Sequence, residues 1–175
     1  VQWGKDKRYL RNNFTPASQI ASLFWDYYEF TGDEEFLKER AYTFMKKASH
    51  FYLDRLEWDE EKNEYFLKAS LYESAPIAYV KNPISDRNCI ERLFKDCIRA
   101  AEILNVDKDE VKQWRHVLNH LWERGYQQFG ECGEVISPAE EYYTEKRYSP
   151  WIWGNGGAVA FPAGLIGIDD KDTRL

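Results

Sequence analysis

Thr31-Gly32-Asp33 constrains this chain more than any other three residues, because it joins two stretches that both carry helical periodicity. Gly32 stands where a helix C-terminus takes a left-handed backbone. Asp33 follows as an N-cap, with Glu34 and Glu35 in the first turn at the positive end of the next helix dipole. Upstream, Thr15 as cap and Pro16 in the first helical position start a helix expected from about Ala17 to Phe30, with Ile20, Leu23, Phe24 and Tyr27 as its apolar stripe. Downstream, Leu37, Ala41, Phe44, Ala48 and Phe51 recur at spacings of three and four, one buried stripe on a second helix ending near Leu56. Helices joined by so short a turn pack antiparallel, and a lone hairpin needs further hairpins to cover its apolar face.

A second pair repeats the plan. Ser85 or Asp86 caps a helix running to about Leu104, with Ile90, Leu93, Phe94, Cys97, Ile98 and Ala101 as its stripe. Asn105-Val106 turns the chain. Asp107 and Glu110 then read as a capping box for a fourth helix, lined by Val111, Trp114, Leu118 and Leu121 and stopping near Gly125. Between the pairs, Glu57 to Glu64 is a charged turn and Tyr65-Phe66-Leu67 a short extended segment. Lys68 to Ser85 reads as irregular, broken by Pro76 and Pro83, and a loop of that length in a compact domain is more often functional than idle. From Tyr126 onward Gly and Pro crowd a segment rich in Tyr, Trp and Glu. The expected fold is all-α: antiparallel helical hairpins forming part of an incomplete helical toroid, with long loops and little strand, over a single domain of residues 1–175.

A net charge of −6 gives no support to nucleic-acid binding and supplies no basic patch for an anionic membrane. No apolar run approaches the roughly 20 residues of a membrane span. The chain begins at Val1 without Met and reads as a processed product or an excised piece. Seven Trp, 12 Tyr and 10 Phe are many for a plain helical bundle, and such rings suit either a thick core or a cleft that stacks on sugars. The cysteines are Cys89, Cys97 and Cys132, an odd and low count that excludes a disulfide framework. Cys89 and Cys97 fall in helical pattern and read as small core residues.

His116 and His120, four apart, can share one helix face and one metal. With no HExxH pattern and no third ligand nearby, they read better as surface residues, and no metal or cofactor is expected. His50 reads as an isolated helix residue. A nucleophile elbow, a P-loop and a dinucleotide fingerprint are absent, and Gly154-Asn155-Gly156-Gly157 lacks the strand-then-helix context of a phosphate cradle. The carboxylates are more informative. Glycosidic hydrolysis needs one protonated carboxylic acid and one ionised partner across a cleft. Glu73 lies in Ala69-Ser70-Leu71-Tyr72-Glu73-Ser74-Ala75-Pro76, among apolar and small residues that favour a raised pKa. Glu131, Glu134, Glu140 and Glu141 sit in the second loop region, where the plainer reading of each is a solvated loop carboxylate.

Trp25-Asp26-Tyr27-Tyr28-Glu29-Phe30-Thr31-Gly32-Asp33-Glu34-Glu35-Phe36-Leu37 resembles the W-x-x-Y-x-x-T-G-D-x-x-F-L hairpin of glycoside hydrolase family 95, the inverting α-L-fucosidase type, and of its (α/α)6-toroid relatives. The resemblance continues through Met45 to Ala48, Phe51 to Asp54 and Asp86 to Leu104. It ends in Phe161-Pro162-Ala163-Gly164-Leu165-Ile166, similar to the family's Y-P-G-x-x-I. It implies an (α/α)6 toroid and a general acid in the loop after the second helix, where the family has P-S-x-S-P-E. Ser70 to Pro76 occupies that place, with Glu73 as the nearest carboxylate, although the motif is not intact. The family's H-R-H-x-S-H run falls on Trp151-Ile152-Trp153-Gly154-Asn155-Gly156, with Trp at two of the histidine positions. The family's paired asparagines would precede Val1 and its general base would follow Leu175.

The resemblance therefore implies a glycoside hydrolase acting on α-linked sugars in a longer parent, with this chain alone inactive. Glu73 would be the acid, and Tyr148, Trp151, Trp153 and Asn155 would shape the sugar site. The expected partner is an oligosaccharide or glycan, with self-association through apolar helix faces that missing hairpins would cover, and a periplasmic or secreted location. The competing expectations are a non-catalytic carbohydrate-binding module and a helical scaffold. The aromatic, glycine-rich stretch from Tyr148 to Phe161 speaks against the scaffold.

Overall fold

The computed structural model describes residues 14–70, 79–128, 134–137 and 139–142. Along the chain come α1 (Thr15–Thr31), α2 (Glu34–Phe36), a π-helical turn (Leu37–Ala41), α3 (Tyr42–Leu53), β1 (Glu57–Asp59), β2 (Glu64–Phe66), β3 (Lys68–Ser70), β4 (Tyr79–Lys81), α4 (Ile84–Leu104), α5 (Lys108–Asn119), β5 (Tyr126–Gln128), β6 (Glu134–Ile136) and β7 (Glu141–Tyr142). Helices dominate and the strands are two or three residues long, which is the expected all-α class with little strand. Residues 14–66 and 89–122 make one compact unit; residues 67–88 belong to a second, with the described residues from 123 onward.

The Thr31–Asp33 turn forms as the sequence predicts. Gly32 takes φ 66° and donates its N–H to the Tyr28 carbonyl at 2.8 Å, while the Asp33 carboxylate accepts the Phe36 N–H at 2.9 Å. Thr31 Oγ1 adds a bond to the Tyr27 carbonyl at 2.8 Å and accepts the Asp33 N–H at 3.2 Å. The start of α1 differs from expectation. Phe14 is the N-cap residue, without a side-chain cap bond, and Thr15 is already helical and buried, its carbonyl accepting from Ser18 Oγ at 2.8 Å.

The larger difference is which face of α1 is buried. Ser18, Ala21 and Trp25 point into the core, whereas the expected stripe of Ile20, Leu23 and Tyr27 is exposed, and Phe24 is half-buried. Small residues let α1 approach α3 closely enough for Ser18 Oγ to meet the Tyr52 hydroxyl at 3.3 Å, and Tyr52 donates to the Phe14 carbonyl at 3.0 Å. Bulky Leu23 would hold the helices apart. The outer stripe continues to Phe30, which is 95% exposed.

The π turn explains a second difference. It holds one residue more per turn than an α-helix, so every later position is rotated relative to uninterrupted α periodicity. Leu37, Ala41 and Ala48 are buried as expected, but Tyr42, Met45, Ser49 and Tyr52 fill the core where Phe44 and Phe51 were expected. Those two rings lie half-buried at its edge, Phe44 against Phe24 at 5.1 Å and Phe51 against Phe14 at 5.2 Å between centroids. On α4 the whole expected stripe from Ile90 to Ala101 is buried, with Cys89 and Cys97 in it as free thiols. The helix begins at Ile84, so Ser85 and Asp86 lie in its first turn and not before it. On α5, Trp114 and Val117 are buried while Val111 and Leu118 are half-buried.

Asp107 does not build the expected capping box. Its backbone is left-handed, φ 51°, and a side-chain cap wants an extended N-cap residue. Its carboxylate instead accepts the Tyr42 hydroxyl at 2.7 Å and pairs with Lys46 Nζ at 2.8 Å. Glu110 takes Lys46 at 3.2 Å and His50 Nε2 at 2.8 Å, so His50 is not isolated. The Lys46 ammonium and the Tyr42 hydroxyl hold the Asp107 carboxyl below its usual range. Burial, then Asp107, pushes the Tyr42 phenol up. Trp114 Nε1 donates to Ser49 Oγ at 3.1 Å, and Arg92 bridges Asp96 at 2.5 Å and Asp26 at 2.8 Å, so polar links tie α3 to α5 and α4 to α1.

The charged stretch after α3 is one arm of a hairpin and not a plain turn. β1 and β2 pair antiparallel with Trp58 opposite Tyr65, Asp59 Oδ1 accepts the N–H groups of Glu61 and Lys62, and Asn63 supplies the left-handed residue at φ 54°.

Replacing Asp107 by Ala should destabilise the fold by about 1–3 kcal/mol, because the buried Tyr42 hydroxyl and Lys46 lose a common acceptor. Asp107→Asn, at ease in a left-handed backbone and still able to accept from Tyr42, should lose less. Urea unfolding of the two variants checks the order; no loss in either would show that the carboxylate contacts do not matter.

Candidate functional site

Glu73, Tyr148, Trp151, Trp153 and Asn155 all lie outside the described residues, as do Glu131 and Cys132. What is described is the base from which the Glu73 segment leaves. The stretch read as irregular contains two strands: β3 and β4 pair antiparallel with Lys68 opposite Lys81, Ala69 opposite Val80 and Ser70 opposite Tyr79. Residues 71–78 therefore begin and end on directly facing strand residues. β7 adds to the free side of β4, with Val80 opposite Tyr142 and Lys81 opposite Glu141.

Asn82 fastens this base. It adopts φ 56°, a conformation Asn tolerates better than most residues. Its N–H donates to the Leu67 carbonyl at 2.7 Å, its Oδ1 accepts the Leu67 N–H at 2.9 Å, and its Nδ2 donates to Glu140 Oε2 at 2.5 Å. Glu140 closes the junction by donating its N–H to the Lys81 carbonyl at 3.0 Å, with Lys81 Nζ 3.7 Å from its carboxylate. Leu67, Ala69 and Val80 are completely buried, and Lys81 and Asn82 are buried with them. Glu140 is solvent-exposed, as expected from sequence, and also accepts from Asn82. Glu134 and Glu141 are strand residues of β6 and β7.

Asp86 is the unusual carboxylate of the same unit. It is 1% exposed; Ser85 Oγ reaches Oδ2 at 3.2 Å, and Oδ1 has no hydrogen-bond partner. Burial pushes its pKa up to about 7, against which the Ser85 bond and its backbone bond pull down only in part. A carboxyl that keeps its proton near neutrality has the chemistry of a general acid, but with both oxygens shut from solvent Asp86 touches no substrate. Nearby in sequence, Asn88 Oδ1 accepts Arg124 Nη2 at 3.3 Å. Sequence reasoning passed over Lys81 and Asn82; the one local signal was the Asn82-Pro83 pair, a turn-former.

Among the described residues, no group of three or more His, Cys, Asp or Glu is placed to hold a metal, and no helix is long and apolar enough to cross a membrane. A cavity of ≈ 380 Å3 at the α1–α2 turn is lined by Asp33, Glu35, Phe36, Glu39 and Arg40 and contains none of the expected site residues.

The sequence model of the glycosyl hydrolase family 95 catalytic domain matches residues 3–154. The chain is 39% identical over 158 residues to a kojibiose hydrolase of Flavobacterium johnsoniae, an overlap covering 90% of this chain and 21% of that protein. It is 24% identical over 135 residues to a protein-glucosylgalactosylhydroxylysine glucosidase of Dictyostelium discoideum, covering 71% of this chain and 18% of that one. The chain spans about a fifth of the length of these curated relatives.

The Asp86 environment predicts a pH dependence. An acid whose folded pKa is raised costs nothing where both states are protonated, and its penalty grows as the unfolded chain ionises. Stability should therefore fall as pH rises from about 4 to about 7. Asp86→Asn removes that term, so its stability relative to the parent sequence should rise across the window by a total on the order of 1–4 kcal/mol. Denaturant unfolding at several pH values reads this directly, and parallel curves would contradict it.

Proposed function

Because the chain belongs to the glycosyl hydrolase family 95 catalytic-domain family, we propose that it is one part of a larger (α/α)6-toroid enzyme that hydrolyses α-linked sugars with inversion. Glu73 is the general acid in this reading. Its carboxyl donates a proton to the glycosidic oxygen while a water, activated by a base outside this chain, attacks the anomeric carbon from the opposite face. Tyr148, Trp151 and Trp153 stack on the sugar and Asn155 hydrogen-bonds its hydroxyls. The supporting observation is the β3–β4 base: facing residues Ser70 and Tyr79 bracket the segment that carries Glu73, and Asn82 and Glu140 lock that bracket. A general acid delivers its rate only from a fixed position, and a pinned loop base limits the conformations open to the loop. The chain by itself does not turn over a glycoside, in keeping with its span of about a fifth of its relatives.

A fucoside is the substrate that the family pattern implies. Trp151 and Trp153 at two of its histidine positions favour a different sugar, and the relatives' names, a glucosidase and a kojibiose hydrolase, favour a glucoside. The outer stripe of α1 supports the partial-toroid reading as well. Ile20, Leu23, Tyr27 and Phe30 are exposed on one side of a helix whose other side is already packed, so a further helix covers them in the complete protein and a second copy can cover them in isolation. A non-catalytic module that grips glycans by the same aromatic rings is the second reading; glycan binding by this chain that is lost in Trp153→Ala, without turnover by the full-length parent, would favour it.

In the full-length parent, Glu73→Gln should lower turnover of an α-linked disaccharide, whose leaving sugar needs protonation, by about 10²–10⁴-fold, and a loss under about tenfold would remove Glu73 from the role. Parallel assays on α-fucoside and α-glucoside identify the sugar, and proton NMR of the first-formed anomer reports inversion or retention. For the isolated chain, light scattering should show self-association that Leu23→Asp with Phe30→Asp abolishes. A monomer with no dye-accessible apolar surface would contradict the partial-toroid reading.

A further inference from the structure

We propose that His116 and His120, walled by Trp58 and Tyr65, form a two-histidine site for a divalent transition-metal ion such as Zn2+, Ni2+ or Cu2+. The site lies within the first compact unit and uses none of the residues proposed for the glycosidase chemistry.

The two histidines stand one turn apart at the end of α5, where His120 is the C-cap residue, so their side chains rise on the same face. Their ring centroids are 4.3 Å apart. His120 Nδ1 lies 2.8 Å from the His116 carbonyl oxygen. A carbonyl only accepts, so Nδ1 carries the hydrogen, and in the neutral ring Nε2 keeps its lone pair. A histidine that donates its other ring N–H to a backbone carbonyl is oriented as metal-bound histidines are, with its tautomer already set.

The β1–β2 hairpin holds this arrangement in place. Tyr65 donates its N–H to the His120 carbonyl at 2.6 Å and forms a parallel bridge with Leu121, fastening the hairpin to the end of α5. Trp58 stands 5.7 Å from the His120 ring and 6.1 Å from His116, and Tyr65 meets His116 edge-on at 5.9 Å. The rings are confined by aromatic walls while His116 stays exposed and His120 half-buried, which leaves an ion a path in. No third His, Cys, Asp or Glu joins the pair among the described residues, so the proposal rests on two imidazole donors. Imidazole donors select Zn, Cu and Ni over Mg and Ca.

Calorimetric titration of the chain near neutral pH with Zn2+, and separately Ni2+, should show one ion per chain with micromolar affinity. His116→Ala and His120→Ala should each weaken binding by about tenfold or more, since even outer-sphere changes at metal sites cost that much. His50→Ala should leave it unchanged, because that ring is engaged by Glu110. Circular dichroism confirms that each variant is folded. Should one fail, Cu2+ quenching of indole emission gives an independent readout: it should shrink in Trp58→Phe while calorimetric affinity persists. No saturable uptake, or uptake undiminished in the folded double variant His116→Ala with His120→Ala, overturns the proposal.

Discussion

The Asp107 carboxylate is the joint on which the helical unit depends. It gathers the Tyr42 hydroxyl and the Lys46 ammonium of α3 at the head of α5, and one turn later Glu110 takes Lys46 and His50. Apolar burial alone does not set the angle between helices. Leu37, Met45, Phe94 and Trp114 would be nearly as well covered after a small slide, because the hydrophobic effect is non-directional. Hydrogen bonds and ion pairs of 2.7–3.2 Å admit far less sliding. Left-handed Asp107 also turns the chain into α5, so one residue supplies both the corner and its fastening.

The second unit follows the same logic with a different residue. Asn82 is left-handed, ends β4, and uses both ends of its side-chain amide to hold Leu67 and Glu140 together. In both units an Asn or Asp occupies a backbone conformation that most residues avoid, and its side chain supplies the long-range contact. Substituting either residue would disturb local geometry and tertiary packing at once. The buried Asp86 of the same unit is a cost that the surrounding packing must offset, and it makes that unit's stability fall as pH rises toward 7.

Much of the helical layout was legible. Thr31-Gly32-Asp33 specifies its turn through short-range bonds alone, and α4 shows one uninterrupted apolar face from Ile90 to Ala101, so its burial could be read directly. Other elements were not legible, for definite reasons. Helix α1 carries two apolar faces, and periodicity cannot say that Ser18 and Ala21 win because smallness permits close packing. The π turn rotates α3 without any glycine or proline to announce it. Asp107 looked like a cap because the sequence shows its neighbours at Glu110 but not Lys46, some sixty residues away. The site was the least legible part. Glu140, Asn82 and Asp86 acquire their roles from pairing and burial that no local pattern shows, whereas Glu73, Tyr148, Trp151, Trp153 and Asn155 lie outside the described residues.

The central claim is the proposal that Glu73 is the proton donor of a glycosidase. Leaving-group dependence tests it most directly, because a good leaving group departs without protonation. In the full-length protein, Glu73→Gln should hydrolyse a glycoside with an activated dinitrophenyl leaving group at close to the wild-type rate and a natural disaccharide hardly at all. An equal loss on both substrates would contradict the assignment.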